Sequence, residues 1–150
     1  MSVKSHFTEE QKLQLKNAIR VAETNTSGEI RVHIEKHCKD NVLDRAAYIF
    51  EKLDMHKTEL RNGVLFYLAV EDRKFAILGD AGINQKVPEN FWDEIKEGVI
   101  FSFKEGRFAQ GLSEGIIKAG EQLKNHFPYQ KDDVNELSDE ISFGEEKTDK

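Results

Sequence analysis

The chain has a single cysteine, Cys38, among its 150 residues. One thiol excludes an internal disulfide framework and a multi-cysteine zinc site. Long apolar runs are also missing. The longest covers residues 64–70, far below the roughly 20 residues of a membrane-spanning helix. The opening residues MSVKSHFTEEQ have no apolar core of the kind a secretory signal carries. A cytoplasmic protein without direct membrane insertion is therefore expected. Nor is there a basic stripe, so nucleic acid is not expected as a partner. No P-loop, dinucleotide fingerprint or nucleophile elbow is present.

What is there is charge and a modest core. Hydrophobic residues make up 38% and charged residues 33%, and the net charge is −6. The length suits one domain, expected as a monomer, in which about two thirds of the unfolded surface can be buried without a covalent staple. The charge is uneven. Residues 129–150 hold eight acids and three bases, so this tail carries nearly all of the net charge. With few large apolar side chains (Ile141 and Phe143 among them), it is expected to be disordered. The folded domain is placed at residues 1–128.

Thr8-Glu9-Glu10-Gln11 matches a capping box, followed by Leu15, Ala18, Ile19 and Ala22 at helical spacing. Glu29 to Glu35 alternates strictly. Ile30, Val32 and Ile34 are expected inward, and Glu29, Arg31, His33 and Glu35 outward. Asp40 or Asn41 can cap a second helix with a stripe of Leu43, Ala46, Ala47, Phe50 and Leu53. Residues 63–70 read as a central strand, 71–74 as a hairpin turn and 75–78 as the return strand. Pro88 suits the first turn of a third helix bearing Phe91, Trp92, Ile95 and Val99. A fourth follows with Phe108, Leu112, Ile116, Ala119 and Leu123. The order α-β-α-β-β-α-α predicts a three-layer α/β/α sandwich around a small mixed sheet. Its first two strands are parallel and its third is antiparallel.

That topology gathers Ser27, Gly28, Glu29, Asn62, Gly63 and Asp80 at one edge of the sheet. Asp80 stands in a glycine-bracketed loop, Gly79-Asp80-Ala81-Gly82, at a strand exit. It can bind a cation or cap backbone N–H groups. Asp80, Glu29, Asn62 and Asn84 are the candidate metal ligands. All offer oxygen, which suits Ca²⁺ or Mg²⁺. Asp72 belongs to the hairpin turn at the opposite end. His33 and His37 are too far apart for one metal, about 13 Å along a strand, and are expected at the surface. His6, His56 and His126 have no visible partner in the sequence. Cys38 lacks the arginine six positions on that a thiol phosphatase needs, because position 44 is Asp44. No catalytic residue is assigned.

Several segments together resemble the TPM domain family. They are Thr26-Ser27-Gly28-Glu29-Ile30-Arg31-Val32, Asn62-Gly63-Val64-Leu65, Asp72-Arg73-Lys74 with Gly79 and Gly82, and Phe103-Lys104-Glu105-Gly106-Arg107-Phe108. The resemblance spans residues 7–127. It implies a three-layer α/β/α domain, divalent-cation binding and, as in chloroplast members, acid phosphatase activity. The family's glycine loop often runs Gly-Tyr-Gly-Leu-Glu, whereas here the carboxylate has moved into the loop and Asn84 replaces the glutamate. Two functions follow: a weak divalent-cation-binding and interaction module, or alternatively a metal-dependent acid phosphatase-like hydrolase. The first is preferred. The edge offers few charged groups for phosphoryl transfer, with Arg31 or Arg61 the only nearby bases.

Overall fold

The computed structural model describes residues 7–129 and 140–144. Helix α1 (Glu9–Asn25) leads into strand β1 (Glu29–Glu35). Helix α2 (Val42–Lys52) and a 3₁₀ turn (Met55–Lys57) precede β2 (Gly63–Ala69) and β3 (Lys74–Gly79). A one-turn helix α3 (Ala81–Asn84), then α4 (Asp93–Lys104), α5 (Phe108–Leu123) and β4 (Ser142–Phe143) complete the chain. Among the described residues no helix is long and apolar enough to cross a membrane.

Local chemistry accounts for most boundaries. The Thr8 hydroxyl accepts from the Gln11 N–H at 3.0 Å, and the Gln11 side chain accepts from the Thr8 N–H at 2.9 Å. This closes the expected capping box. Asn41 caps α2 through the N–H groups of Leu43 and Asp44. The buried stripe of α2 is Ala46, Ile49 and Phe50, while Leu43 and Ala47 face solvent. The expected stripe was therefore rotated by part of a turn. The third expected helix starts later than Pro88, at Asp93, and α3 was not foreseen.

The sheet order is β3-β2-β1-β4. β1 and β2 run parallel, with Glu29 opposite Gly63 and Glu35 opposite Ala69. β3 returns antiparallel to β2, with Val64 opposite Gly79. Helices α1, α4 and α5 cover one face around Ile30, Val32, Ile34, Val64, Phe66 and Leu68. Helix α2 and the 3₁₀ turn cover the other around Leu65, Tyr67, Ala69 and Ala76. This is the expected three-layer mixed α/β fold. Gly120 lets α5 approach α1 closely, since a Cβ there would lie 2.7 Å from the Ala22 Cα.

Two expectations need correction. Every residue of β1 except Arg31 is buried. The alternation of β1 marks two different interior faces and not a dry and a wet one, because α2 covers the polar side. The second correction concerns the tail, most of which lies outside the described residues. Its described segment at 140–144 is ordered and carries β4. There His33 pairs with Ser142 and Ile34 with Phe143, in parallel. Ile141 and Phe143 pack on the larger core, and the Phe143 ring lies 6.5 Å from that of Phe7. Apolar burial and backbone pairing outweigh local charge here.

Candidate functional site at the sheet edge

The register places the expected residues together. The Glu29 N–H donates to the Asn62 carbonyl at 3.0 Å, and the Asp80 N–H to the Gly63 carbonyl at 2.9 Å. Glu29, Gly63 and Asp80 therefore form one row across three strands, on the face turned toward the 3₁₀ turn. Adjacent strands lie about 4.8 Å apart, so the outer two Cα atoms are about 10 Å apart, with a residue lacking a side chain between them. Glu29 and Asp80 are each 5% exposed and Asn62 is 2% exposed. The Asn62 amide nitrogen donates to the Ser27 carbonyl at 2.9 Å. Its Oδ1 is buried and has no hydrogen-bond partner among the described residues. A buried amide oxygen without a donor is unfavourable by about 1–3 kcal/mol.

Asp80 has two partners. It caps α3 by accepting from the Ala81 N–H at 2.7 Å. It also receives both arms of Arg61, from Nε and Nη2, each at 2.8 Å. This forked pairing raises the Arg61 pKa above its ordinary value. Arg61 is half exposed, so water competes for it. Arg61 also takes a left-handed backbone, φ 51°. Gly82 explains how the two loops meet. Its N–H donates to the Arg61 carbonyl at 2.9 Å, and a Cβ at Gly82 would lie 2.2 Å from the Leu60 carbonyl oxygen. Asn84 turns back on the strand, its amide donating to the Gly79 carbonyl at 3.1 Å. Among the described residues no three His, Cys, Asp or Glu side chains converge as metal ligands. The edge thus gathers two buried acidic residues, Asp80 held by Arg61 and the Ala81 N–H, and one amide oxygen without a partner among the described residues.

Residues 4–122 match the TPM domain. The chain belongs to the TPM domain family. The NMR structure of the BA42 protein from the psychrophilic bacterium Bizionia argentinensis is 51% identical, with a TM-score of 0.87 over 92% of this chain and 95% of that one. Two more distant NMR structures share the fold. The N-terminal domain of a P. gingivalis protein is 18% identical, with a TM-score of 0.67 over 81% of this chain and 78% of that one. The N-terminal domain of a Corynebacterium glutamicum protein is 11% identical, with a TM-score of 0.63 over 93% and 81%. Among curated proteins, none matches.

The other end of β1 in this TPM domain holds a second polar cluster that the sequence did not announce. His33 is 5% exposed and Glu35 6%, not at the surface as expected. Arg45 reaches down from α2 and donates to Glu35 from Nε at 2.8 Å and Nη2 at 2.9 Å. The Tyr67 hydroxyl donates to the same carboxylate. His33 Nε2 lies 3.3 Å from Glu35 Oε1, and His33 Nδ1 lies 2.8 Å from Ser142 Oγ. Burial alone would raise the Glu35 pKa. Hydrogen bonds from Arg45, His33 and Tyr67 overcome it and hold the carboxyl well below the usual range. Arg45 is raised by its bonds to Glu35, and Tyr67 by burial and then by Glu35. Strand parity and the register of His33 with Tyr67 would have found three of these residues. Ser142 carries no such signal, because it lies beyond the TPM match in the acidic tail. Asp72 sits in the hairpin turn as expected, accepting from His37 Nδ1 at 3.1 Å and from the Cys38 N–H at 2.7 Å.

Proposed function

We propose that this TPM domain is a weak divalent-cation-binding and interaction module whose ion sits on the edge formed by Glu29, Asn62 and Asp80. The observation that carries this reading is the buried Oδ1 of Asn62, without a partner among the described residues, at the sheet edge where the backbones of Glu29, Gly63 and Asp80 are in register. An oxygen-seeking cation would give that atom a partner and would take up a carboxylate of the same edge in exchange for its present contacts. Asn84 would contribute by holding the Gly79 turn closed, with its own oxygen available at the loop. The donor set is all oxygen and low in charge, which suits Ca²⁺ or Mg²⁺ and an affinity of about 10⁻⁴–10⁻³ M.

Arg61 is the built-in competitor. A cation that takes up the Asp80 oxygens must release the guanidinium, and Arg61 is half exposed and can swing into water. The ion would then act as a switch on the loop at 58–61, which faces solvent at Glu59 and Leu60. That released surface is where a protein partner would meet the domain.

The test is a backbone NMR titration with CaCl₂ and with MgCl₂ at millimolar concentrations. Shifts are expected at Gly28, Glu29, Asn62 and residues 79–84, and Asp80→Asn should remove most of them without unfolding the domain. Shifts confined to the acidic residues of the tail would instead indicate counterion collection and end the proposal. Phosphate-ester turnover should remain at background with either metal. Metal-dependent turnover abolished by Asp80→Asn would favour the phosphatase.

A further inference from the structure

A cavity of about 700 Å³ opens between β1, β4 and α2, lined among others by His33, Glu35, Arg45, Lys52 and Ser142. It lies about 20 Å along β1 from the cation edge and is independent of it. Its proton positions follow from counting. Glu35 is ionised and meets four donors: Arg45 Nε, Arg45 Nη2, Tyr67 O–H and His33 Nε2. A carboxylate has about four acceptor positions, so it is saturated and can only accept. His33 must therefore carry its hydrogen on Nε2. In the neutral ring this leaves Nδ1 with a lone pair, and the group facing it at 2.8 Å is the Ser142 hydroxyl. Ser142 is thus obliged to donate to His33, and its own lone pairs are left for the cavity.

The ring is held at both nitrogens, by Glu35 and by Ser142. It stacks on Tyr67 at 6.0 Å between centroids and 12° between planes, and Arg45 pins its carboxylate partner. Serine, imidazole and carboxylate stand in the order that activates a nucleophile, with the nucleophile–base and base–carboxylate contacts both in place. Ser142 is partly exposed, whereas His33 and Glu35 are buried, so the hydroxyl is the member that solvent and ligands reach. The approach of β4 depends on Gly144. A Cβ there would fall 2.6 Å from Glu35 Cβ and 2.8 Å from Glu35 Oε1.

We infer that Ser142, His33 and Glu35 form a nucleophilic acyl-transfer site for short-chain carboxylic esters, completed by a strand outside the matched TPM segment. Ile49, Leu53 and Phe143 supply apolar wall for the acyl chain. Arg45 commits Nε and Nη2 to Glu35, which leaves Nη1 and the Lys52 ammonium as donors for a developing oxyanion. In the first step Ser142 Oγ bonds to the ester carbonyl carbon as its proton passes to His33 Nδ1. The C–O bond to the alcohol then breaks, and His33 returns the proton to the leaving oxygen. In the second step water attacks the acyl-serine carbonyl and gives a proton to His33, the acyl–Oγ bond breaks as His33 returns that proton to Ser142 Oγ, and the carboxylic acid departs. Glu35 stabilises the imidazolium in both steps.

The experiment uses the full chain with 4-nitrophenyl acetate and butyrate as substrates and a fluorophosphonate as the trapping probe. The fluorophosphonate adduct should map to Ser142. Turnover should fall by about 10²–10⁴-fold in His33→Gln, the usual range for a lost general base. It should fall at least as far in Ser142→Ala, whose melting temperature should stay close to wild type. Gly144→Ala should lower turnover by displacing β4 while leaving all three groups present. Should His33→Gln fail to fold, Ser142→Cys serves instead. Its thiol should react with iodoacetamide at neutral pH at least about tenfold faster than free cysteine, because a paired imidazole favours the thiolate. Wild-type turnover equal to that of Ser142→Ala, an adduct on another residue, or Ser142→Cys reacting no faster than free cysteine would each overturn the assignment. The cluster would then be only a polar clasp that holds β4.

Discussion

Replacing Glu35 by glutamine keeps the size of the side chain and removes its charge. The carboxylate lies at 6% exposure and accepts two bonds from Arg45, at 2.8 and 2.9 Å. An amide has one acceptor oxygen and turns two N–H groups toward donors. The Arg45 fork loses one arm, and either Tyr67 or His33 loses its acceptor. Removing one partner of a buried ion pair costs about 3–5 kcal/mol. The Arg45 side chain is 32% exposed, so water recovers part of its charge, and the expected loss is about 2–3 kcal/mol. For a chain of this size that lowers the melting temperature by about 5–10 °C. Urea denaturation with a thermal melt measures both. Adding Arg45→Met should cost less than its effect in the wild type, because the orphaned cation is gone. A loss below about 1 kcal/mol in Glu35→Gln would refute the reasoning. It would mean that Glu35 is hydrated and not locked.

The same network sets an acid limit. The Glu35 pKa is depressed by folding, so as the pH falls the unfolded chain takes up the proton first. The contribution is full above about pH 5 and is lost as the pH drops through about 4.3 and below. The difference in melting temperature between wild type and Glu35→Gln should shrink steadily over that range. Ending the chain at residue 139 removes the core contacts of Ile141 and Phe143, and should destabilise by about 1–3 kcal/mol. An unchanged urea midpoint would show that β4 does not hold to the sheet. Gly82→Ala places a Cβ 2.2 Å from a backbone oxygen of the neighbouring loop, and should cost about 1–3 kcal/mol by forcing the loops apart. Equal urea midpoints for Gly82→Ala and wild type would contradict that close approach.

How far the sequence reveals this molecule depends on whether the signal is local. The Thr8–Gln11 capping box and the parallel pairing implied by a helix between two strands needed no distant partner, and both hold in the structure. The β1 alternation was half informative. It sorted residues onto two faces correctly, yet could not say that α2 covers the polar one. His33 and Glu35 therefore looked exposed. Leu43 and Ala47 were misread for the opposite reason. Apolar residues on a short helix do not reveal which part of the arc is buried until the sheet beneath it is known. Strand β4 could not be read at all. It pairs with β1 across more than a hundred residues, inside a segment whose composition argues against order. At the sheet edge, the gathering of Glu29, Asn62 and Asp80 followed from topology. That Asp80 both caps α3 and grips Arg61 did not, because it depends on the close approach of Gly82 to the Leu60 carbonyl.

The measurement closest to the central claim is a comparison of Ca²⁺ affinity across wild type, Arg61→Gln and Asp80→Asn, by NMR titration of the residue 79–84 amides. If the ion occupies the edge by displacing Arg61, Arg61→Gln should bind several-fold more tightly than wild type, and Asp80→Asn should lose most of its binding. Arg61→Gln binding no tighter than wild type, or Asp80→Asn binding as well, would contradict the account.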